Sequence, residues 1–204
     1  MRLKCEILPL LFVSKFIMEK AIFKKGFTLV ELMVVVTIIA LLSAVLFANF
    51  GDARKSSRDK ARMTELKELQ LSLELYKAQY GRYPAAGCST AAANFAGPGP
   101  ATSGNFTSCT NYITGHTAGV TFVPDFTSEL PTDTMFEDEA NRGFYYRTDA
   151  TGSSYKLMVF DSVELETIAA YGEELSRCPS AGGACGTTVP ANTYAVYSVG
   201  AEDW

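Results

Sequence analysis

Glu31 is the single formal charge in a run of 24 residues, Phe27 to Phe50, FTLVELMVVVTIIALLSAVLFANF, that contains neither proline nor glycine. A carboxylate carried into hydrocarbon costs several kcal/mol unless it is paired, so an acid in such a run is a functional candidate by default. Cysteine offers a second chemistry. Cys88, Cys109, Cys178 and Cys185 lie beyond the run and Cys5 before it. Four thiols outside the cytoplasm form two bridges, with three formal connectivities. The sequence-local pairs, Cys88 with Cys109 and Cys178 with Cys185, are favoured because each would staple a Gly-rich loop with little packing of its own. The acids Asp133, Glu137, Asp138 and Glu139 could give oxygen ligands to a hard cation such as calcium. A solvated acidic loop is the reading preferred, and no cofactor is expected. With His116 the only histidine and no GxSxG, HExxH or phosphate loop, no nucleophile and base can be assembled, and no enzymatic activity is expected. The absence of any CxxC pair likewise argues against zinc.

The elements that must carry these groups follow from charge and periodicity. As a helix, the apolar run would span about 36 Å, enough to cross a hydrocarbon core of about 30 Å with some tilt. Lys20, Lys24 and Lys25 precede it, and Arg54, Lys55, Arg58, Lys60 and Arg62 follow it together with Asp52 and Asp59, so charge alone leaves its orientation open. The cysteines favour an external C-terminal part. The net charge of -4 hides an asymmetry: up to Tyr80 basic residues outnumber acidic ones thirteen to eight, and from Gly81 the ratio is five to fourteen. An acidic distal half argues against that domain neutralising nucleic-acid phosphates.

The stretch Lys24-Lys25-Gly26-Phe27-Thr28-Leu29-Val30-Glu31, followed by the apolar run, resembles the prepilin leader of type IV pilins and type II secretion pseudopilins. The resemblance implies that a membrane aspartyl protease cuts after Gly26, that Phe27 becomes an N-methylated terminus, and that Glu31 neutralises the terminal amine of a neighbouring subunit. A glycine before the cut suits a protease that must approach the backbone closely. Residues 1–26 would be the leader. Translation from Met18 would give the shorter MEKAIFKKG, so the true start is expected there. Where many family members carry a helix-weakening glycine and proline, this chain has Ala40 and Ala48, which favour a continuous helix.

Residues 51–83 read as an amphipathic stalk. Leu66, Leu69, Leu73, Tyr76 and Tyr80 recur at spacings of 3, 4, 3 and 4, with Leu71, Leu75 and Ala78 expected to widen the stripe, and Gly81 and Pro84 to end it. LELYKAQYGRYP, Leu73 to Pro84, is similar to the helix end of major pseudopilins. The head is expected over residues 84–204, opening with a loop over residues 85–118 closed by Cys88 and Cys109. Strands are predicted in GVTFVPDF, RGFYYRTD, SYKLMVFDSV and TYAVYSV, with a hairpin turn at residues 150–153 and a short helix near Val163 to Ser176. The expected fold class is α+β, a long N-terminal helix laid on a small antiparallel sheet, as in pilins. Pro131, Asp133, Gly143 and Tyr145 loosely follow the pseudopilin pattern, while its Trp-Gly pair is missing, which weakens any transfer of that family's calcium site.

The resemblance implies a structural protomer of a type IV pilus-like or type II secretion filament. Its partners would be copies of itself or related pilins, a prepilin peptidase and an inner-membrane assembly platform. It would sit in the cytoplasmic membrane by a single span, with the head outside the cytoplasm and in a filament after assembly. A single-pass anchored extracellular binding module that never polymerises is the alternative. The sequence does not separate a secretion pseudopilus from a motility, adhesion or DNA-uptake pilus.

Overall fold

A computed structural model of the chain describes residues 26–88, 94–102, 105–116, 119–165, 174–179 and 192–204. Residues 1–25 of the leader with the expected start at Met18, Cys185, and residues 166–173 of the expected short helix lie outside them. The chain divides into two compact units, Met1–Val45 and Leu46–Trp204.

Helix α1, Leu29–Tyr80, has 52 residues. Its N-terminal stretch carries a window of mean hydropathy 2.8 and is long and apolar enough to cross a membrane. Leucine, isoleucine and valine point outward all round it, and every large apolar side chain named there, from Leu29 to Phe50, is exposed. A helix apolar on every face is one whose cover comes from outside itself. Backbone regularity continues through Ala40, as expected of a span without glycine or proline.

In the second unit the stripe Leu66, Leu69, Leu73 and Tyr76 is buried against the head. The helix ends where Gly81 adopts φ +75°, a left-handed conformation that glycine takes without a Cβ penalty, and the Gly81 amide donates to the Lys77 carbonyl at 2.7 Å. Leu71 and Leu75, expected to widen the stripe, are instead 62% and 53% exposed, and Ala78 is exposed too. Their phase on a 3.6-residue helix turns them away from the sheet, so the buried stripe is one residue wide.

The head is a five-stranded sheet in the order β3-β2-β5-β6-β7. Its centre is the hairpin of β5, Gly143–Thr148, and β6, Tyr155–Phe160, extended by β7, Tyr194–Tyr197. Phe144 pairs with Val159 and Tyr146 with Leu157 in antiparallel register, and Leu157 in turn with Val196. Alternation along these strands sends Phe144, Tyr146, Leu157, Val159, Tyr194 and Val196 toward the helix stripe, and Tyr145, Met158 and Ala195 to the other face. The hairpin turn falls at residues 150–153 as expected. Asp149 closes it, its carboxylate accepting from the Ser153 amide and the Thr151 hydroxyl, both at 2.7 Å.

Two expectations for the head change. The segment 85–118 is not a plain loop, since it holds β1, Ala85–Ala86, β2, Phe95–Gly97, β3, Phe106–Ser108, and β4, Ile113–Thr114. β1 pairs with β4, while β2 joins β5 and takes β3 as a parallel neighbour, so the sheet is antiparallel except at that edge. Gly97 makes this possible: a Cβ there would collide with the Phe144 carbonyl and the Tyr145 ring. Sequence patterning missed these strands because two or three residues are too short to show alternation.

The second change concerns GVTFVPDF, which forms turns instead of a strand. Pro124 has no amide to give a ladder, and the Phe126 amide donates to the Phe122 carbonyl at 3.0 Å, which brings both rings onto one side. There they pack on Tyr76, with centroids 6.0 and 5.1 Å away.

Candidate functional site

At the start of α1, Thr28 and Glu31 form a reciprocal cap. The Glu31 amide donates to Thr28 Oγ1 at 3.2 Å, while Glu31 Oε2 accepts from the Thr28 amide at 2.8 Å and from its hydroxyl at 2.7 Å. This is a capping box, and it satisfies amide groups that the first helical turn leaves without partners. Its signal, Thr-x-x-Glu, stands in the sequence at Thr28 and Glu31, so Glu31 is a helix cap as well as a charge. Both bonds fall on Oε2, so Oε1 is open to a cation. The Thr28 amide belongs to the peptide bond after Phe27, and a cut between Gly26 and Phe27 would leave the box intact. Gly26 is exposed, with open space where a Cβ would stand, and Phe27 is 86% exposed. The bond proposed for cleavage therefore lies on an accessible stretch directly before a capped helix.

The stalk presents a second group of charges. Arg62 is only 4% exposed and Asp59 3%, both on the buried side of α1. The Arg62 guanidinium reaches across to Asp133, with Nε donating to Oδ2 at 2.8 Å and Nη2 to Oδ1 at 3.2 Å. Nη1 of the same residue donates to Asp59 Oδ1 at 2.9 Å and to Glu164 Oε1 at 3.1 Å. Asp59 accepts from the amides of Glu164 and Leu165, at 3.1 and 3.0 Å. Arg58 donates to Glu164 at 2.6 Å, and Phe136 lies with its ring centroid 5.3 Å from the Arg62 guanidinium. The Arg58 hydrogen bond, followed by that of Arg62, outweighs the opposing effect of burial and holds the Glu164 carboxyl down at about 2. Buried charges persist only when paired and hydrogen-bonded, and here a single guanidinium serves three carboxylates. Its place in the fold is a clasp between the stalk half of α1 and two segments of the head.

Asp133 is thus the one expected cation ligand that is buried, and both of its oxygens face Arg62. Glu139 pairs with Arg142, Glu137 and Asp138 are exposed, and no group of three or more potential ligands forms among the described residues. The basic run after the span is likewise divided. Arg58 and Arg62 belong to the clasp, Lys55 lies 3.9 Å from Asp52, and Arg54 and Lys60 form no ion pair among the described residues.

Cys88 and Cys109 are joined, their Cα atoms 5.9 Å apart, across a separation of 21 residues. The bridge ties β1 to the end of β3, and closing such a loop stabilises a fold by about 3 kcal/mol in the chain-entropy account. Cys178 is also disulfide-bonded, and its partner lies outside the described residues. His116, with its imidazole Nε2 buried and unpaired, sits beside the Tyr76 hydroxyl, which accepts from its amide at 2.9 Å.

Residues 23–47 match the family model for the prokaryotic N-terminal methylation motif. Among curated proteins, the chain is 37% identical over 62 residues to the type II secretion system core protein G of Pectobacterium carotovorum subsp. carotovorum, covering 30% of this chain and 39% of that protein. It is 36% identical over 62 residues to the protein of the same name from Escherichia coli, covering 30% and 42%. With the type IV wide pilus major component PilA4 of Thermus thermophilus it shares 41% identity over 59 residues, 29% and 45% of the two chains. The matched stretches span less than half the length of these relatives. No solved structure matches the chain. Motif and apolar helix together, the N-terminal third of this chain is similar to the same region of type II secretion core protein G and of the pilus component PilA4.

Proposed function

We propose that the chain is a structural protomer of a type IV pilus-like or type II secretion filament, processed after Gly26 and assembled through its N-terminal helix. The observation that carries this reading is the methylation motif placed at the mouth of a helix whose apolar side chains are exposed on every face. Such a surface demands either lipid or its own copies, and helix-on-helix burial can replace lipid when the subunit leaves the bilayer. Cleavage creates an ammonium at Phe27, and methylation keeps its charge. Glu31 Oε1 is free to pair with that cation on a neighbouring copy, so charge burial is coupled to assembly.

In this reading the head lies outside the cytoplasm, where its disulfides persist. The further partners are a prepilin peptidase and an inner-membrane platform, and the protein has no catalytic role. Both oxygens of Asp133 accept from Arg62, which supports a reading without calcium at that residue.

N-terminal sequencing and intact mass of the membrane-extracted protein, produced with its prepilin peptidase, test the proposal. The expected mature chain begins at methylated Phe27, and Gly26→Glu leaves the precursor uncut. An uncut wild-type chain would overturn the reading and leave a single-span anchor.

A further inference from the structure

The side of the stalk helix turned away from the head differs sharply along its length. Its first part presents Ala53, Arg54, Ser57, Lys60 and Ala61, all exposed, small or basic. Farther on, the exposed Leu71 and Leu75 line a groove of about 550 Å³ with Leu69, Ser72 and the Phe126–Pro131 segment. Glu65, Glu68 and Glu129 form its rim. None of these three carboxylates, and neither Arg54 nor Lys60, makes an ion pair among the described residues.

We propose that this acid-rimmed apolar groove receives the small, basic stretch Ala53–Ala61 of a second copy of the chain. The inference rests on the filament reading and specifies which surfaces of the heads' stalks meet. Charge complementarity selects the occupant: a basic helix surface of alanine and serine, led by Arg54, meets an acid rim around two exposed leucines. Small residues let the incoming helix approach closely enough to cover those leucines. An offset of 14 residues brings Arg54 level with Glu68, Ser57 with Leu71 and Ala61 with Leu75. That shift is close to four helical turns, roughly 20 Å along the axis. Because the donor and acceptor surfaces are different parts of one chain, the contact is heterologous. Each copy keeps one free surface of each kind, so the contact propagates into an open filament instead of closing into a dimer.

The test uses full-length chains in cells that assemble them, one copy carrying Ser57→Cys and another Ser72→Cys, changes that leave every charge in place. Sheared filaments run without reductant should show a crosslinked dimer only when both variants are present. Filaments without that dimer would overturn the docking proposal and leave the filament reading standing. Correctly cleaved chains that never form filaments would overturn both. Charge reversal supplies a second readout. Arg54→Glu is expected to lower filament yield about tenfold, and adding Glu68→Lys in the same chain to restore it. Failure of the double variant to recover, with its head melting normally, counts against the proposal.

Discussion

The apolar start of α1 and the stalk half of the same helix are both rich in leucine, yet one is left exposed among the described residues and the other buries a stripe. Between Leu29 and Phe50 the large side chains are exposed. Between Leu66 and Tyr76 the stripe is fully covered by sheet residues such as Phe144, Leu157 and Val159. The charges differ in the same sense. Glu31 holds a local capping bond and keeps an oxygen open, whereas Arg62 is surrounded by three carboxylates of its own chain. One segment leaves its apolar side chains exposed, and the other covers its stripe with its own head.

The largest expected effect breaks the comparison at Glu31. Glu31→Gln preserves the capping box, because glutamine can also accept the Thr28 amide, but removes the charge. Filament yield should fall by about a hundredfold or more, since the neighbour's ammonium would then be buried without a partner, while head melting stays unchanged. Filaments at normal yield would reduce Glu31 to a helix cap.

On the self-sufficient side, Arg62→Met strands Asp59 and Asp133 in a buried place and should destabilise the head by about 3–5 kcal/mol. Denaturant unfolding of the detergent-solubilised chain measures it. A change within error would mean that water reaches the clasp. Leucines two residues apart sharpen the contrast further. Leu73→Ala should cost about 2–5 kcal/mol and Leu71→Ala less than about 0.5, as one is wholly buried and the other 62% exposed. Equal losses would show that Leu71 packs on its own head.

The clasp also carries a pH dependence. Glu164 has its carboxyl depressed from the ordinary 4.5 to about 2, chiefly by the Arg58 hydrogen bond. A depressed carboxyl contributes stability that is fully present above about 4.5 and is lost as pH falls through about 2. Across that window Glu164→Gln should flatten the fall in melting temperature, and an unchanged slope would assign the acid sensitivity to other groups.

Much of this was readable in advance. The hairpin of β5 and β6 and the closing strand β7 rest on runs of Tyr, Phe and Val bounded by turn residues, and the leader motif on eight consecutive positions. The clasp was not read, although a trace of it exists: Asp59 and Arg62 continue the 3-and-4 spacing of Leu66, Leu69, Leu73 and Tyr76 toward the N-terminus. Polar residues in phase with an apolar stripe are a sign of buried pairing, but the phase cannot say that the partner of Arg62 is 71 positions away.

By itself, then, the chain's sequence determined the apolar helix, its stop at Gly81 and the central hairpin, because each depends on neighbours within a few residues whose periodicity or turn chemistry is local. Only the tertiary structure decided that Asp133 answers a guanidinium, that Gly97 admits an edge pair of strands, and that Leu71 and Leu75 face outward beside a groove. Those outcomes depend on segments far apart in the chain meeting in space, and on a few degrees of helix phase that a list of apolar positions leaves open.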